Sequence, residues 1–228
     1  MRLSVLQPCL CLVTDRKVGD EATLVDRVAE AVAGGVDMVQ LREKDLHGGR
    51  LLELAASLKR RIGHRALLIV NERVDVAVAA GADGVQLGEQ ALPVAAARRL
   101  VGPEALIGRS VHSEDGAERA AAGGADFLVV GTMYATRSHP GAVPAGPALL
   151  RRIARRCRLP LIGIGGISPD NVGEVLRAGA LGAAVITSVL GAPHPGEEAR
   201  RLKQAMLEAW MDSPLLFNSD ARRGLGAR

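Results

Sequence analysis

Short apolar runs closed by Gly, Asp or Asn alternate along the chain with alanine-rich amphipathic stretches. That alternation is the βαβα pattern of a parallel sheet covered on both faces. Eight such units can be counted, and the spacing predicts strands over Leu10–Thr14, Met38–Arg42, Leu67–Asn71, Gly84–Leu87, Leu106–Ser110, Phe127–Gly131, Leu161–Gly165 and Ala183–Ser188. Helices are expected to begin near Thr23, Gly49, Val74, Pro93, Ser113, Pro147, Asn171 and Glu197.

The division is reinforced by a repeated punctuation mark. Ala33-Gly34-Gly35-Val36-Asp37, Ala80-Gly81-Ala82-Asp83, Gly123-Gly124-Ala125-Asp126 and Ala178-Gly179-Ala180 each stand where a helix should end and a strand begin. Glycine there supplies the left-handed helix cap, and the following residues turn the chain into the sheet. Internal repetition of this kind favours an α/β fold closed as one (β/α)8 TIM barrel over an irregular one, with an open doubly wound sheet as the structural runner-up. The length of 228 residues suits a single barrel. The barrel is expected over residues 1–210, and residues 211–228, which mix Pro, Ser, Asn, Gly and Arg without periodicity, as a flexible C-terminal tail.

Composition narrows the function classes. Apolar residues at 48% and charged residues at 24% allow a real core, whereas aromatic residues at 2% leave almost no stacking platform for single-stranded nucleic acid. The net charge of +4 is scattered. Its densest run, Arg151 to Arg158, carries Ile153 and Cys157 four residues apart, as in a helix with one solvated face. Neither nucleic acid nor membrane is therefore expected as a partner, and a homo-oligomer is compatible with the pattern. Cys9, Cys11 and Cys157 show no CxxC spacing and read as reduced core residues. No secretory leader or membrane-length apolar stretch is visible, which places the expected location in the cytoplasm.

In a barrel of this type, the functional residues stand at or just beyond the strand C-termini. In Val39-Gln40-Leu41-Arg42-Glu43-Lys44 the two-residue strand period sets Gln40 and Arg42 on the face opposite Val39 and Leu41. With Lys44 they make a clamp for phosphate or diphosphate; the plain alternative is an ion pair among Arg42, Glu43 and Lys44. Asn71 can hydrogen-bond a ring heteroatom and Glu72 can hold a hard cation, or the two simply close a turn and start a helix. The glycine-rich Gly163–Ser168 stretch and Ile186-Thr187-Ser188 fall after the seventh and eighth strands, the usual place of a phosphate cup. Two anion sites in one mouth suggest two phosphorylated substrates or one diphosphorylated one.

Taken together, Gln40-Leu41-Arg42-Glu43-Lys44, Asn71-Glu72-Arg73-Val74-Asp75, Gly131 to Gly141 and Gly163 to Ser168 resemble the thiamine phosphate synthase and thiazole tautomerase superfamily, over about Cys9 to Ala209. The resemblance implies a magnesium-dependent transferase that joins a hydroxymethylpyrimidine diphosphate to a thiazole phosphate and releases pyrophosphate. By the same resemblance, Gln40, Arg42 and Lys44 would hold the diphosphate, Asn71 the pyrimidine, and Ser110 the region beside the diphosphate, with Arg42, Lys44 and Ser110 as the catalytic groups. Thr136, Ser138 and His139 would belong to a phosphate-contacting loop, and Gly165, Gly166, Ile186 and Thr187 to the thiazole phosphate cup. Mg²⁺ would fall to Glu72 and Glu89.

The match has departures. Glu72 stands where the family usually has aspartate, Ala91 where a second metal aspartate is expected, and His139 where lysine is common. Glu89 is the residue that could take over from Ala91. The stretch Gly108–Ser113 also resembles the tautomerase branch, whose members aromatise a thiazole carboxylate phosphate. Its histidine after the sixth strand, however, aligns with Thr132, leaving His112 and His139 as candidate proton carriers. Synthase is the leading expectation, tautomerase the alternative, and a catalytically silent phosphate-ligand-binding barrel the alternative from another class.

Overall fold

In the computed structural model, which describes residues 7–18, 21–136, 141 and 143–211, eight parallel strands pair in sequence order and close, β1 against β8. The strands are β1 (Cys9–Val13), β2 (Met38–Leu41), β3 (Leu67–Asn71), β4 (Gly84–Leu87), β5 (Leu106–Val111), β6 (Phe127–Gly131), β7 (Leu161–Ile164) and β8 (Gly182–Val185). The barrel expected from the alternation is the observed fold. Around it lie α1 (Leu24–Ala33), α2 (Gly48–Ile62), α3 (Val74–Ala79), α4 (Val94–Val101), α5 (Glu114–Ala122), α6 (Gly146–Arg156), α7 (Val172–Arg177), α8 (Thr187–Leu190) and α9 (Pro195–Trp210). Four strands differ from expectation by one residue at one or both ends, and β8 differs by more. The run Ala183–Ser188 is not all strand, because the chain turns at Ile186 into the short α8 that the apolar run alone could not distinguish from sheet.

Strand alternation sorts the core into two bodies. Residues such as Leu10, Val39, Leu68 and Val85 face outward into a continuous apolar annulus beneath the helices. Cys9, Cys11, Met38, Ile69, Phe127 and Ile162 face inward and fill the barrel. Burial pushes the Cys9 thiol up to about 12, so it stays protonated and inert in the folded protein. Phe127 fits inside because Gly108 on the neighbouring strand has no side chain: a Cβ there would run into the Phe127 ring.

The punctuation repeat does more than turn the chain. Gly35, Gly81, Gly124 and Gly179 all have positive φ, as the left-handed cap requires. In three repeats the next polar residue is an aspartate that clamps the preceding strand. Asp37, Asp83 and Asp126 each accept, at 2.7 Å, from the backbone N–H of Leu10, Leu68 and Ile107 respectively. Their own N–H groups donate back to the carbonyls of those residues at 3.0, 2.8 and 2.8 Å. Each carboxylate also meets one helix cation: Lys203 at 2.7 Å, Lys59 at 2.6 Å and Arg98 at 2.6 Å. In the fourth repeat Leu181 takes this place, its N–H donating to Leu161 O.

These clamps lie at the N-terminal ends of the strands. Asp83→Ala strips Leu68 N–H and Lys59 of their acceptor and is expected to cost about 1–3 kcal/mol in urea unfolding. Any activity carried at the strand C-termini should keep its KM, and a shifted KM with unaltered stability would contradict the assignment.

Candidate active site

The strand C-termini open on a cavity of about 550 Å³, within the range of small-molecule sites. Its floor and walls are divided by chemistry. Inward positions at the tops of β2, β3 and β5 are polar, namely Gln40, Asn71 and Ser110, with Gln86 of β4 buried against Ser110, whereas Val13, Val129, Ile164, Ala184 and Ile186 make the facing wall apolar. A flat heterocycle can therefore rest on one side while its heteroatoms and phosphates meet the other.

The polar wall is organised by a carboxylate that faces away from the cavity. Glu43 is 6% exposed and accepts from Thr14 Oγ1 at 2.7 Å, from the Arg16 backbone N–H at 3.2 Å and from Arg16 Nη1 at 3.3 Å. Thr14, fully buried, in turn accepts from the Arg42 N–H at 3.0 Å. Arg16 continues to Asp45, and the cations of Arg16 and Lys17 hold the Asp45 carboxyl well below its ordinary range. The alternative ion pair among Arg42, Glu43 and Lys44 is thus absent. Among the described residues Arg42 and Lys44 have no carboxylate partner, and both line the cavity. Two uncompensated cations one residue apart are poised for an anionic ligand.

Beside them, Gln40 Nε2 donates to Asn71 Oδ1 at 3.0 Å, which turns the Asn71 amide nitrogen free for a ring acceptor. Asn71 is the last residue of β3 and Glu72 follows at φ 59°, a left-handed conformation unusual for a long side chain. The bend lifts the Glu72 carboxylate over Gly88, where an added Cβ would lie 2.5 Å from Oε1. Glu89 lines the same rim, 3.3 Å from His112 Nδ1. The loop bearing Glu89 is stapled by Arg109, which donates to the carbonyls of Glu89 at 2.7 Å and Leu92 at 3.0 Å. Ala91 packs on the outer apolar core.

Across the cavity lie Gly165 and Gly166, both at positive φ, with Ile186 and Thr187. Beside Gly166 the backbone passes so close to Ala135 O that an added Cβ would clash. This leaves a concave patch of main chain. Thr132 and Thr136 line the adjoining edge, while Ser138 and His139 lie outside the described residues. Of the expected site residues that are described, every one reaches this cavity. Two residues behind the lining had no such expectation attached: Gln86, which donates to Ser110 Oγ at 3.0 Å, and Arg109, which holds the Glu89 loop.

The comparisons with known proteins fall on the same ground. The family model described as thiamine monophosphate synthase matches residues 10–189. The chain belongs to this family. Like the other thiamine phosphate synthases, it is a transferase of thiamine biosynthesis. A putative thiamine-phosphate synthase of Geobacter sulfurreducens is 46% identical over 197 residues, 85% of this chain and 92% of that protein. The bifunctional protein ThiM/ThiE of Symbiobacterium thermophilum is 47% identical over 183 residues; the match takes in 79% of this chain and 38% of that longer protein. Among solved structures, the thiamine phosphate pyrophosphorylase of Pyrococcus furiosus superposes with a TM-score of 0.81 at 36% identity, covering 88% of this chain and 96% of that one.

Removing Glu43 takes away the acceptor that Thr14 Oγ1 and the Arg16 backbone N–H share. Glu43→Ala is expected to lower the unfolding free energy by about 3 kcal/mol, measured by chemical denaturation. A loss under about 1 kcal/mol would mean that the network does not hold the end of β2.

Proposed function

We propose that the cavity joins a hydroxymethylpyrimidine diphosphate to a thiazole phosphate. The observation that supports this most directly is the pair of unpartnered cations, Arg42 and Lys44, facing a glycine-lined cup across one cavity. The bond between the pyrimidine methylene and the diphosphate oxygen breaks, and pyrophosphate leaves with the electron pair. The thiazole nitrogen then donates its lone pair to the methylene carbon, so the new C–N bond forms with no proton transferred.

In that scheme the protein neutralises a leaving group and aligns two rings, and it needs no side-chain nucleophile. Arg42, Lys44 and Gln40 bind the diphosphate, Ser110 donates to it, and Asn71 holds the pyrimidine edge. Thiazole phosphate occupies the main-chain patch at Gly165, Gly166, Ile186 and Thr187, with Thr136, Ser138 and His139 on its loop.

The family is generally magnesium-dependent. Among the described residues no three metal-ligating side chains cluster. Magnesium nevertheless suits a site of one or two carboxylates completed by substrate phosphates and water, and Glu72 and Glu89 share one rim beside the cations. These residues fit such an ion, which when bound would neutralise further charge on the departing pyrophosphate. The tautomerase reading is disfavoured because Thr132, a hydroxyl, occupies the edge where its base would stand. Small charged substrates suit a cytoplasmic enzyme, and no helix among the described residues is long and apolar enough to cross a membrane.

Incubating the protein with both substrates should give thiamine phosphate and pyrophosphate in equal amounts, dependent on Mg²⁺ and followed by mass. Arg42→Ala or Lys44→Ala should lower kcat/KM by about 100-fold or more with an intact fold. Glu89→Gln should raise the Mg²⁺ concentration for half-maximal rate several-fold. Thiazole phosphate binding without product under any metal condition would replace the synthase with a silent binder.

A further inference from the structure

Four polar residues are buried among the described ones: Thr14, Gln40, Glu43 and Gln86. Thr14 and Glu43 satisfy each other, and Gln40 serves Asn71. Gln86 is different. It is 2% exposed in the middle of β4, does not reach the cavity, and its Oε1 is buried without a hydrogen-bond partner. A barrel interior filled by apolar side chains elsewhere has no packing need for an amide whose acceptor is wasted.

Its one side-chain bond points to its use. Nε2 donates to Ser110 Oγ at 3.0 Å, and Ser110 lines the cavity. The surroundings of the other end fix which way the amide faces. Oε1 lies over Gly108, where an added Cβ would run into both Oε1 and the edge of the Phe127 ring. An aromatic edge is positive and tolerates an acceptor oxygen, whereas a buried N–H turned there would be the rarer and costlier orphan. With Nε2 toward the serine, one Oγ lone pair is occupied from below and the hydroxyl hydrogen is left over. Among the described residues it has no acceptor of its own.

We infer that Gln86 is a positioning residue that forces Ser110 to act as a hydrogen-bond donor into the cavity, toward an oxygen of the diphosphate. Reversing the amide would turn the serine inward and offer lone pairs to a polyanion. Gln86 touches no substrate and works wholly through Ser110. Its backbone carbonyl also accepts from Glu72 N–H at 2.9 Å, so β4 at this residue joins both sides of the polar wall. The inference rests on the diphosphate reading of the cavity.

Gln86→Met keeps the shape and removes both polar atoms. It should lower kcat/KM for the pyrimidine diphosphate about tenfold and leave KM for thiazole phosphate within about twofold. The thermal midpoint should equal or exceed that of the parent, since an orphaned acceptor is lost. In a Ser110→Ala background the same change should cost less than about twofold, because the group it acts through is gone. Equal losses in the two backgrounds, or a lowered midpoint in step with activity, would assign Gln86 to the core and overturn the inference.

Gln86→Glu gives a second reading should the methionine variant fold poorly. Its carboxylate accepts the serine hydrogen, so a loss of at least about tenfold is expected, and parent-like kcat/KM would equally overturn it. Calorimetric titration of inorganic pyrophosphate repeats the cycle without turnover. A parent that binds pyrophosphate but forms no thiamine phosphate defeats the synthase reading while this cycle still decides Gln86; a parent that binds no pyrophosphate defeats both.

Discussion

The polar wall depends on one carboxylate being occupied elsewhere. Arg42, Glu43 and Lys44 are consecutive, and in an unstructured segment their charges would compensate locally. Strand geometry sends Glu43 behind the wall, where Thr14 and Arg16 hold it, and sends the two cations forward. Burial of Glu43 matters because at 6% exposure its bonds are scarcely contested by water. The charge excess of the cavity is therefore a product of the β1–β2 junction, a balance that the fold leaves open on one side only and that an anionic ligand would complete.

The two ends of the barrel solve different problems with the same residue types. At the closed end each aspartate is tied three ways, its carboxylate to a strand N–H and a helix cation and its own N–H to a strand carbonyl, so charge is spent on closure. At the mouth the carboxylates of Glu72 and Glu89 remain on the rim, one raised by a left-handed bend and the other carried on a loop pinned by Arg109. Stability and ligand affinity are thereby separated along the barrel axis, which lets the mouth carry uncompensated charge without opening the sheet.

The barrel was readable in the sequence because both of its signals are local: apolar runs of strand length and a punctuation mark that recurs at helix ends. Gln40 and Arg42 were readable for the same reason, since a two-residue period needs no partner to be known. The aspartates of the repeat were visible only as turn residues. The clamp at Asp37 uses Lys203, which stands 166 residues away, and no periodicity announces such a pairing. The end of β8 was misplaced because Ile186-Thr187-Ser188 suits a strand by composition and becomes helical through its tertiary setting. Gln86 carried a usable signal, a long polar residue at an inward position between Gly84 and Gly88, but its meaning required Ser110 on the next strand.

The metal question turns on the same distinction between charge and placement. Ala91 packs outward on the apolar core, so an aspartate at that position could serve an ion only if its loop presented it differently. The loop is held instead by Arg109 on the carbonyls of Glu89 and Leu92, an arrangement that fixes Glu89 on the rim. A carboxylate two residues earlier, on a pinned loop, can answer the same electrostatic need as the absent one, provided the ion accepts oxygen ligands from phosphate and water for the rest. Glu72 supports this reading, because its left-handed backbone would be an unrewarded cost if its carboxylate served no ligand. Glu72 and Glu89 thus stand on one rim, where their negative charge lies beside Arg42 and Lys44.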